Sequence, residues 1–464
     1  MARYATMVAL WALAAWHRLR LVEHAIVGSD SLGPYLQAKA ALLGHLPRPP
    51  NPESGDALWL LAVPLVSLAD SLEALFEARF VLGGVVAPLA FAAAWHWADD
   101  DVSAARRWAG ALAAGVLMAF DPGLVDTLVS GARSYGAPEL VGLMTLGVAL
   151  AIRGYTHGLA LAMLGLVWAA GHHPLSIGAA AGLWLMWPQR ETWSVRRAAL
   201  LFGALLAVPR LLRLAKLALC GEGLVPCIVR VAQSNNSTAE PMLSQLKTAM
   251  HDRFLVDWGS GLWVVLAGVL ATALCRHRTH RRAAGFAVLC LIGLVSVGML
   301  NGYLRSYHLR IIAVPLAVAA GLGLARAWPL APLGALAAVM NWQPHLIVGP
   351  DPGAVARHDR IAAELPSGPK WVDRVWWSGS PTVDASAVVL SGMLQGAEGF
   401  ALGPDVPVTL LSVEDNSWEV MRFRTSTEAR SWLDGQGRTP HQRGGAYDWA
   451  TIVDPSTRLE DARW

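Results

Sequence analysis

Residues 259–300 read GSGLWVVLAGVLATALCRHRTHRRAAGFAVLCLIGLVSVGML, two apolar runs around an eight-residue block with four arginines and two histidines. A transmembrane helix needs about 20 mostly apolar residues, and each run approaches or meets that length. Arginine-rich links between such runs stay on the cytoplasmic side of a membrane. The stretch therefore predicts two spans joined by a cytoplasmic turn.

Working outward, further runs of this kind fall at 4–26, 79–97, 108–120, 138–152, 158–171, 174–187, 198–219, 309–325 and 329–348. With 259–274 and 283–300 they make eleven expected spans. Composition agrees: 54% of the 464 residues are hydrophobic and 15% are charged, against roughly 25% charged in a soluble domain. Many of the 21 tryptophans, among them Trp95, Trp108, Trp187, Trp258 and Trp328, sit near the ends of apolar runs, as in an interfacial belt. A net charge of +3, with no basic stripe interleaved with aromatics, gives no reason to invoke nucleic acid as a partner. Cys220 and Cys227 share one polar link and are placed to pair if it faces an oxidising compartment, whereas Cys275 and Cys290 read as small hydrophobes.

Within the first run the signal-like core 4–16 is followed by His17-Arg18-Leu19-Arg20 and further apolar residues rather than a small-residue cleavage site, so the run reads as an uncleaved span. With the N-terminus cytoplasmic, one set of links carries Arg106, Arg107, Arg153, Arg190, Arg196, Arg197, Arg276, Arg278, Arg281 and Arg282. The opposite set carries Asp30, Glu53, Asp56, Asp121, Asp126, Glu139 and Glu222. That separation follows the positive-inside rule. The apolar stretch 57–69 is too short to cross and suits a helix lying along the membrane surface. Counting it as a span would put the basic block outside. Asp99, Asp100 and Asp101 fall on the inner face and read as a solvated turn.

The fold class is thus an all-α polytopic membrane protein, with a transmembrane domain over 1–348 that includes a long first outer loop at 27–78. From 349 to 464 the texture changes to a small extracytoplasmic α/β domain. Helix-like stretches at 354–365, 385–395 and 427–433 alternate there with strand-like ones at 371–377, 406–413 and 449–453.

The first outer loop holds Asp30 just past the membrane exit and Tyr35 in a helix-like stretch ending at Gly44. A turn with Pro49 and Pro50 comes next, then the 57–69 helix, and Arg79 at the mouth of the second span. This order resembles the first outer loop of the family C (GT-C) membrane glycosyltransferases, the protein O-mannosyltransferase and aminoarabinose transferase type in particular. There an Asp-Glu pair, a Tyr, a Leu-x-Gly step, a Pro-Pro turn, a juxtamembrane helix and an Arg follow one another. Here Asp30, Tyr35, the Leu42-Leu43-Gly44 step and Arg79 take those places, with Ser31 where the Glu would stand. The resemblance implies a GT-C-like fold and transfer of a sugar from a polyprenyl-phosphate-linked donor to a glycan, lipid or protein acceptor. It also implies Asp30 as the catalytic carboxylate, activating or orienting the acceptor.

A lipid-phosphate leaving group needs cations, which Arg79, Arg305 and Arg310 supply near the same face. The second outer link adds Asp126, Arg133 and Glu139 as substrate-binding candidates, and His172 and His173 end a span on that side. Asp30 and Asp126 could share a divalent metal, although their pattern does not require one. Two other classes compete with this reading. A transporter or flippase would show paired charges deep in its spans and two related halves, and Arg210, Arg213 and Lys216 share one span. An inactive GT-C-like scaffold would bind the carrier lipid without turnover, and Ser31 after Asp30 is the feature that suggests it.

Overall fold

A computed structural model describes residues 1–25, 27, 32, 35, 38, 39, 42, 56–130, 136–183, 241–300, 302, 304–327, 330–340, 353–364, 370–372, 385–396, 408–414 and 417–423. The expected span at 198–219, Cys220, Cys227, Arg210, Arg213, Lys216 and the elements expected at 427–433 and 449–453 lie outside them. The chain opens with α1 (Ala2–Leu19) and a 3-10 turn, Val22–His24. Helices α2 (Asp56–Leu68), α3 (Leu72–Gly83), α4 (Val86–Trp97), α5 (Ala104–Ala119), α6 (Pro122–Ser130), α7 (Ala137–Ile152) and α8 (Thr156–His172) follow. After a 3-10 segment, Pro174–Ala179, come α9 (Met242–Met250), a π-helical stretch His251–Val256, α10 (Gly261–Ala273) and α11 (Arg278–Leu300). A short turn, Ser306–Leu309, leads through Arg310–Ile312 into α12 (Ala313–Leu324), and α13 (Ala331–Met340) follows.

Four continuous or gently broken helices among the described residues are long and apolar enough to cross a membrane: Leu72–Trp97, Ala104–Val129, Arg278–Leu300 and Ser306–Leu324. The pair Met242–Val256 and Gly261–Ala273, bent by 99°, makes a fifth if it counts as one span. Two of these spans extend well beyond the runs that the sequence pattern suggests. The helix bearing Arg79 begins at Leu72, so Arg79 lies two turns inside it rather than at its mouth. The run expected at 108–120 continues past Asp121 as α6, which occupies much of what reads as an outer link. Apolar side chains on the bundle's surface, such as Trp263 at 69% exposure and Leu270 at 58%, have no protein to cover them and fit contact with lipid.

Helix-to-helix contact relies on small residues, because lipid chains compete with apolar side chains and close van der Waals approach carries the association. A Cβ at Gly165 of α8 would lie 2.6 Å from Leu140 O and Met144 N of α7. One at Gly268 of α10 would lie 2.6 Å from Ala320 O of α12. The α7–α8 corner turns on Gly154, whose φ of 83° is left-handed, with Tyr155 N donating to Leu150 O at 3.1 Å.

Two apolar clusters result. The larger fills the bundle among α4, α5, α7, α8 and α10–α13. The second joins Val22, Leu32, Tyr35, α2, α3 and α6 to two helices of the C-terminal region, α14 (Ala354–Glu364) and α15 (Ala385–Leu394). The expected surface helix at 57–69 corresponds to α2, whose Ala62 and Val66 are buried in this second cluster. Three strands, β1 (Lys370–Val372), β2 (Val408–Glu414) and β3 (Ser417–Phe423), form one sheet in the order β1-β2-β3. β1 pairs parallel with β2, and β2 pairs antiparallel with β3 from Val408 opposite Phe423 to Glu414 opposite Ser417.

The C-terminal region docks at the end of the bundle where α1 finishes. Asp359 accepts from the backbone N–H of Leu72 at 2.9 Å and of Glu73 at 3.0 Å, so its carboxylate caps the start of α3. Gly353 N donates to Glu23 O at 2.8 Å. Between these contacts a cavity of about 730 Å³ opens, with Arg20, Glu23, His24, Glu73 and Glu77 on its walls.

The close α7–α8 approach yields a test. Gly165→Val should force these helices apart and lower stability by about 1–3 kcal/mol, the usual cost of overpacking. Thermal unfolding of detergent-purified protein reads it; an unchanged midpoint would mean the helices do not meet through Gly165.

Candidate functional site

The site grows from Asp121-Pro122, where the helix breaks. Phe120 ends α5, Asp121 accepts from Leu124 N at 3.1 Å as the cap of α6, and Pro122 starts it, where its missing N–H costs nothing. The break frees carbonyls at the end of α5, and Arg18 of α1 donates to them, at 3.2 Å each to Met118 O and Ala119 O. Arg18 is fully buried, so its charge is matched by the negative end of the α5 dipole.

Asp121 is also fully buried. Arg253 grips both of its oxygens, Nη1 to Oδ1 at 2.9 Å and Nη2 to Oδ2 at 2.7 Å, and Trp258 Nε1 donates to Oδ2 at 3.2 Å. The Arg253 guanidinium lies 4.4 Å from the Trp258 ring centre, which adds a cation–π contact. Its Nη1 also meets Asp257 Oδ2 at 3.1 Å. Asp257 in turn receives Arg310 through Nε and Nη2, both at 3.1 Å. Arg310 Nη1 reaches Asp126 Oδ2 at 2.6 Å and Thr127 Oγ1 at 3.1 Å. One residue further along α6, Leu128 O accepts from Arg79 Nη2 at 3.2 Å, and the Arg79 guanidinium sits 5.5 Å from the Phe76 ring centre.

Residues 118–128 thus receive four arginines from four parts of the chain, Arg18, Arg253, Arg310 and Arg79. Gly123 lies within the network: a Cβ there would fall 2.8 Å from Arg310 Nε and against Asp257 Oδ2 and Arg253 Nη1. The linked group of Arg253, Arg310, Asp121, Asp126 and Asp257 holds two positive and three negative charges. Asp126 is its most open member, with 23% of its side chain exposed against 7% or less for the others. Among these five residues it is the one most open to a group arriving from outside.

Of the residues expected from sequence, Asp126 and Arg310 meet directly, and Arg79 joins them through the neighbouring residue of α6. Glu139 stands in the first turn of α7, within reach of the charges of Arg18 and Arg79, and its Oε2 is buried without a hydrogen-bond partner among the described residues. His173 follows α8, and its Nδ1 accepts from Leu175 N at 3.3 Å, capping the start of the 3-10 segment Pro174–Ala179. Its ring packs 4.6 Å from that of His308, which accepts from Arg305 N at 2.9 Å. His172 is the last residue of α8. Tyr35 is buried at 4% exposure in the second apolar cluster. Asp30 and Arg133 lie outside the described residues. The carboxylates of Asp121 and Asp126 are committed to arginines, and guanidinium charge beside them opposes a divalent cation.

Arg18, Arg253 and Asp257 escape the sequence reading as site residues, and Trp258, expected in an interfacial belt, is instead 2% exposed against Asp121. One signal was present: Arg253 and Asp257 stand four apart, the spacing of a helical ion pair, in a segment leading into an apolar run.

No known family profile matches this chain, and no curated protein matches its sequence. Its structure matches the crystal structure of ArnT from Cupriavidus metallidurans bound to undecaprenyl phosphate, with a TM-score of 0.51 at 13% identity. The match covers 97% of this chain and 96% of that one. The fold is GT-C-like. The arginine-lined break between α5 and α6 therefore belongs to a membrane-embedded scaffold matched over nearly its whole length, C-terminal region included.

The buried pairing predicts a strong asymmetry. Arg253→Met should cost about 3–5 kcal/mol of stability, because it leaves carboxylates buried without their counter-charge. Adding Asp121→Asn should recover part of the loss. Unfolding of both variants in detergent checks this, and simple additivity of the two changes would contradict the coupling.

Proposed function

We propose that this protein is a membrane glycosyltransferase that moves a sugar from a polyprenyl-phosphate-linked donor to an acceptor at the membrane face where α1 ends. The observation that carries the reading is the GT-C-like fold over the whole chain, combined with arginines gathered on α6 beside that face. ArnT, the structural match, is bound to undecaprenyl phosphate, and a lipid of that chemistry fits the charges here.

In this reading the donor phosphate approaches sideways from lipid and meets Arg79. Arg310 joins when the phosphate takes the place of Asp126, the one partly open carboxylate of the network. Guanidinium suits this role because it holds phosphate oxygens in pairs and keeps its charge throughout. Glu139, whose Oε2 lacks a partner among the described residues, is placed to accept a hydroxyl of the donor sugar. The acceptor enters from water through the cavity between α1, α3 and α14. Asp30 takes up or orients the acceptor's proton as its oxygen or nitrogen attacks the anomeric carbon. The carbon–oxygen bond to phosphate breaks, and the leaving phosphate carries its charge onto the arginines. His173 and the Arg305–His308 turn line the approach beside Arg310.

The test uses purified protein in liposomes with a panel of polyprenyl-phosphate-linked sugars, following released polyprenyl phosphate and glycosylated product by mass spectrometry. Asp30→Asn is expected to abolish transfer while donor binding persists. Arg79→Ala is expected to weaken donor binding roughly 10- to 100-fold, the worth of one charge-assisted hydrogen bond. Full turnover by Asp30→Asn would remove the proposed base. Donor binding without turnover across the panel would favour a carrier-binding scaffold, and lipid crossing the bilayer unchanged would favour a flippase.

A further inference from the structure

A second constellation lies at the other end of the bundle, where α1 begins and Arg3 stacks 5.0 Å from the Trp95 ring centre. The sequence there reads as three solvated aspartates, yet the structure gives them different work. Asp100 turns to the arginines, pairing with Arg107 at 3.0 Å and Arg153 at 2.6 Å. The hydrogen bond from Arg107, helped by the charge of Arg153, holds its carboxyl below the usual range. Asp99 and Asp101 turn the opposite way, to His277 in the link between α10 and α11.

We propose that Asp99, Asp101 and His277 form a site for a divalent metal of the zinc class, tying the α4–α5 link to the α10–α11 link. Ligand atoms from the three side chains lie within 4.8 Å of one another. His277 Nδ1 sits 3.2 Å from Asp101 Oδ2 and 3.5 Å from Asp99 Oδ2. Zinc bonds of about 2.0–2.2 Å at tetrahedral angles place neighbouring ligands roughly 3.3–3.6 Å apart, close to the two distances from His277. One imidazole with two carboxylates suits a borderline metal better than calcium or magnesium, which prefer oxygen throughout.

The surroundings point the same way. Thr279 Oγ1 donates to Asp99 Oδ1, and Trp97 Nε1 donates to Thr279 O at 3.0 Å. Arg107 Nη2 holds Asp99 O at 2.6 Å. The Thr279 hydroxyl orients the carboxylate as an outer-shell partner orients a metal ligand, and the other two bonds hold the backbone carbonyls of Thr279 and Asp99. Its other oxygen, Oδ2, is buried, faces His277, and accepts no hydrogen bond among the described residues. That oxygen makes only a 3.5 Å contact with the imidazole nitrogen, too long for a hydrogen bond, and a cation between the imidazole and the two carboxylates would satisfy it. His277 and Asp101 remain 40% and 63% exposed, so the metal can enter from water and keep water as a fourth ligand.

The experiment takes the full chain in detergent, stripped with chelator and then exposed to zinc chloride. One zinc per chain should survive desalting, and cobalt in its place should give the visible absorption of a four-coordinate site. His277→Ala and Asp99→Asn should lose the metal. Thr279→Val, nearly isosteric, should weaken it about 10-fold through loss of the outer-shell bond. Asp100→Asn should retain it. Because His277→Ala could perturb folding, diethylpyrocarbonate labelling of the unaltered chain supplies a second readout: zinc should shield His277. Equal zinc in Asp99→Asn and the unaltered chain, no zinc on folded unaltered chain, or equal labelling of His277 with and without zinc would each overturn the site.

Discussion

Asp121 and Arg253 meet in full burial, and much of the architecture follows from the need to match these two charges inside an apolar protein. Neither tolerates isolation there, since an unpaired buried ion costs several kcal/mol even after relaxation. The solution is a bidentate pair with Trp258 closing one side and Asp257 the other. For Asp121 to reach Arg253, the helix must break at Pro122. For Arg253 to present its fork, the chain must pass through a π-helical turn and bend by 99° into α10. The kinks are therefore consequences of one polar contact between segments that are apolar on either side.

That contact also stands between the two apolar clusters. α5 packs into the bundle, while Val125, Leu128 and Val129 of α6 pack with α2, α3 and the C-terminal helices. One span, broken at Asp121, thus passes from one core to the other. Charge is held where the cores adjoin, and the arginines that approach from α1, α3 and the start of α12 do so along this seam. Arg18 and Arg253 are enclosed, whereas Arg310 is slightly exposed and pairs with the more open Asp126. The exposure thus rises along α6, from fully buried Asp121 to Asp126 with 23% of its side chain exposed.

Much of the scaffold was legible in the chain. The apolar runs at 138–152 and 158–171 correspond to α7 and α8, and 259–274 and 283–300 to α10 and α11. The order Asp30, Tyr35, Arg79 led to the family C resemblance, and the GT-C-like fold agrees with it. Element starts were harder to read. Leu72–Gly83 carries Glu73, Glu77 and Arg79, so hydropathy alone places the span's beginning too late; the structure carries those charges at the water-facing cavity and against Leu128 O. Asp121-Pro122 reads as the end of a helix, because a cap and a stop share the same residues. β3, with alternation broken at Met421-Arg422, gave no clear strand pattern.

What the sequence determined by itself was the class of solvent around this chain, since hydropathy is summed locally and needs no partner. Residue run lengths, the side on which arginine accumulates, and the presence of a long polar loop after the first span are of that kind. Only the tertiary structure decided which charges face each other. Asp121 finds Arg253 across 132 residues, and Thr279 finds Asp99 across 180. No periodicity records such pairings, because helix crossing and bending bring them about, and the free energy that selects them arises only when both partners leave water together.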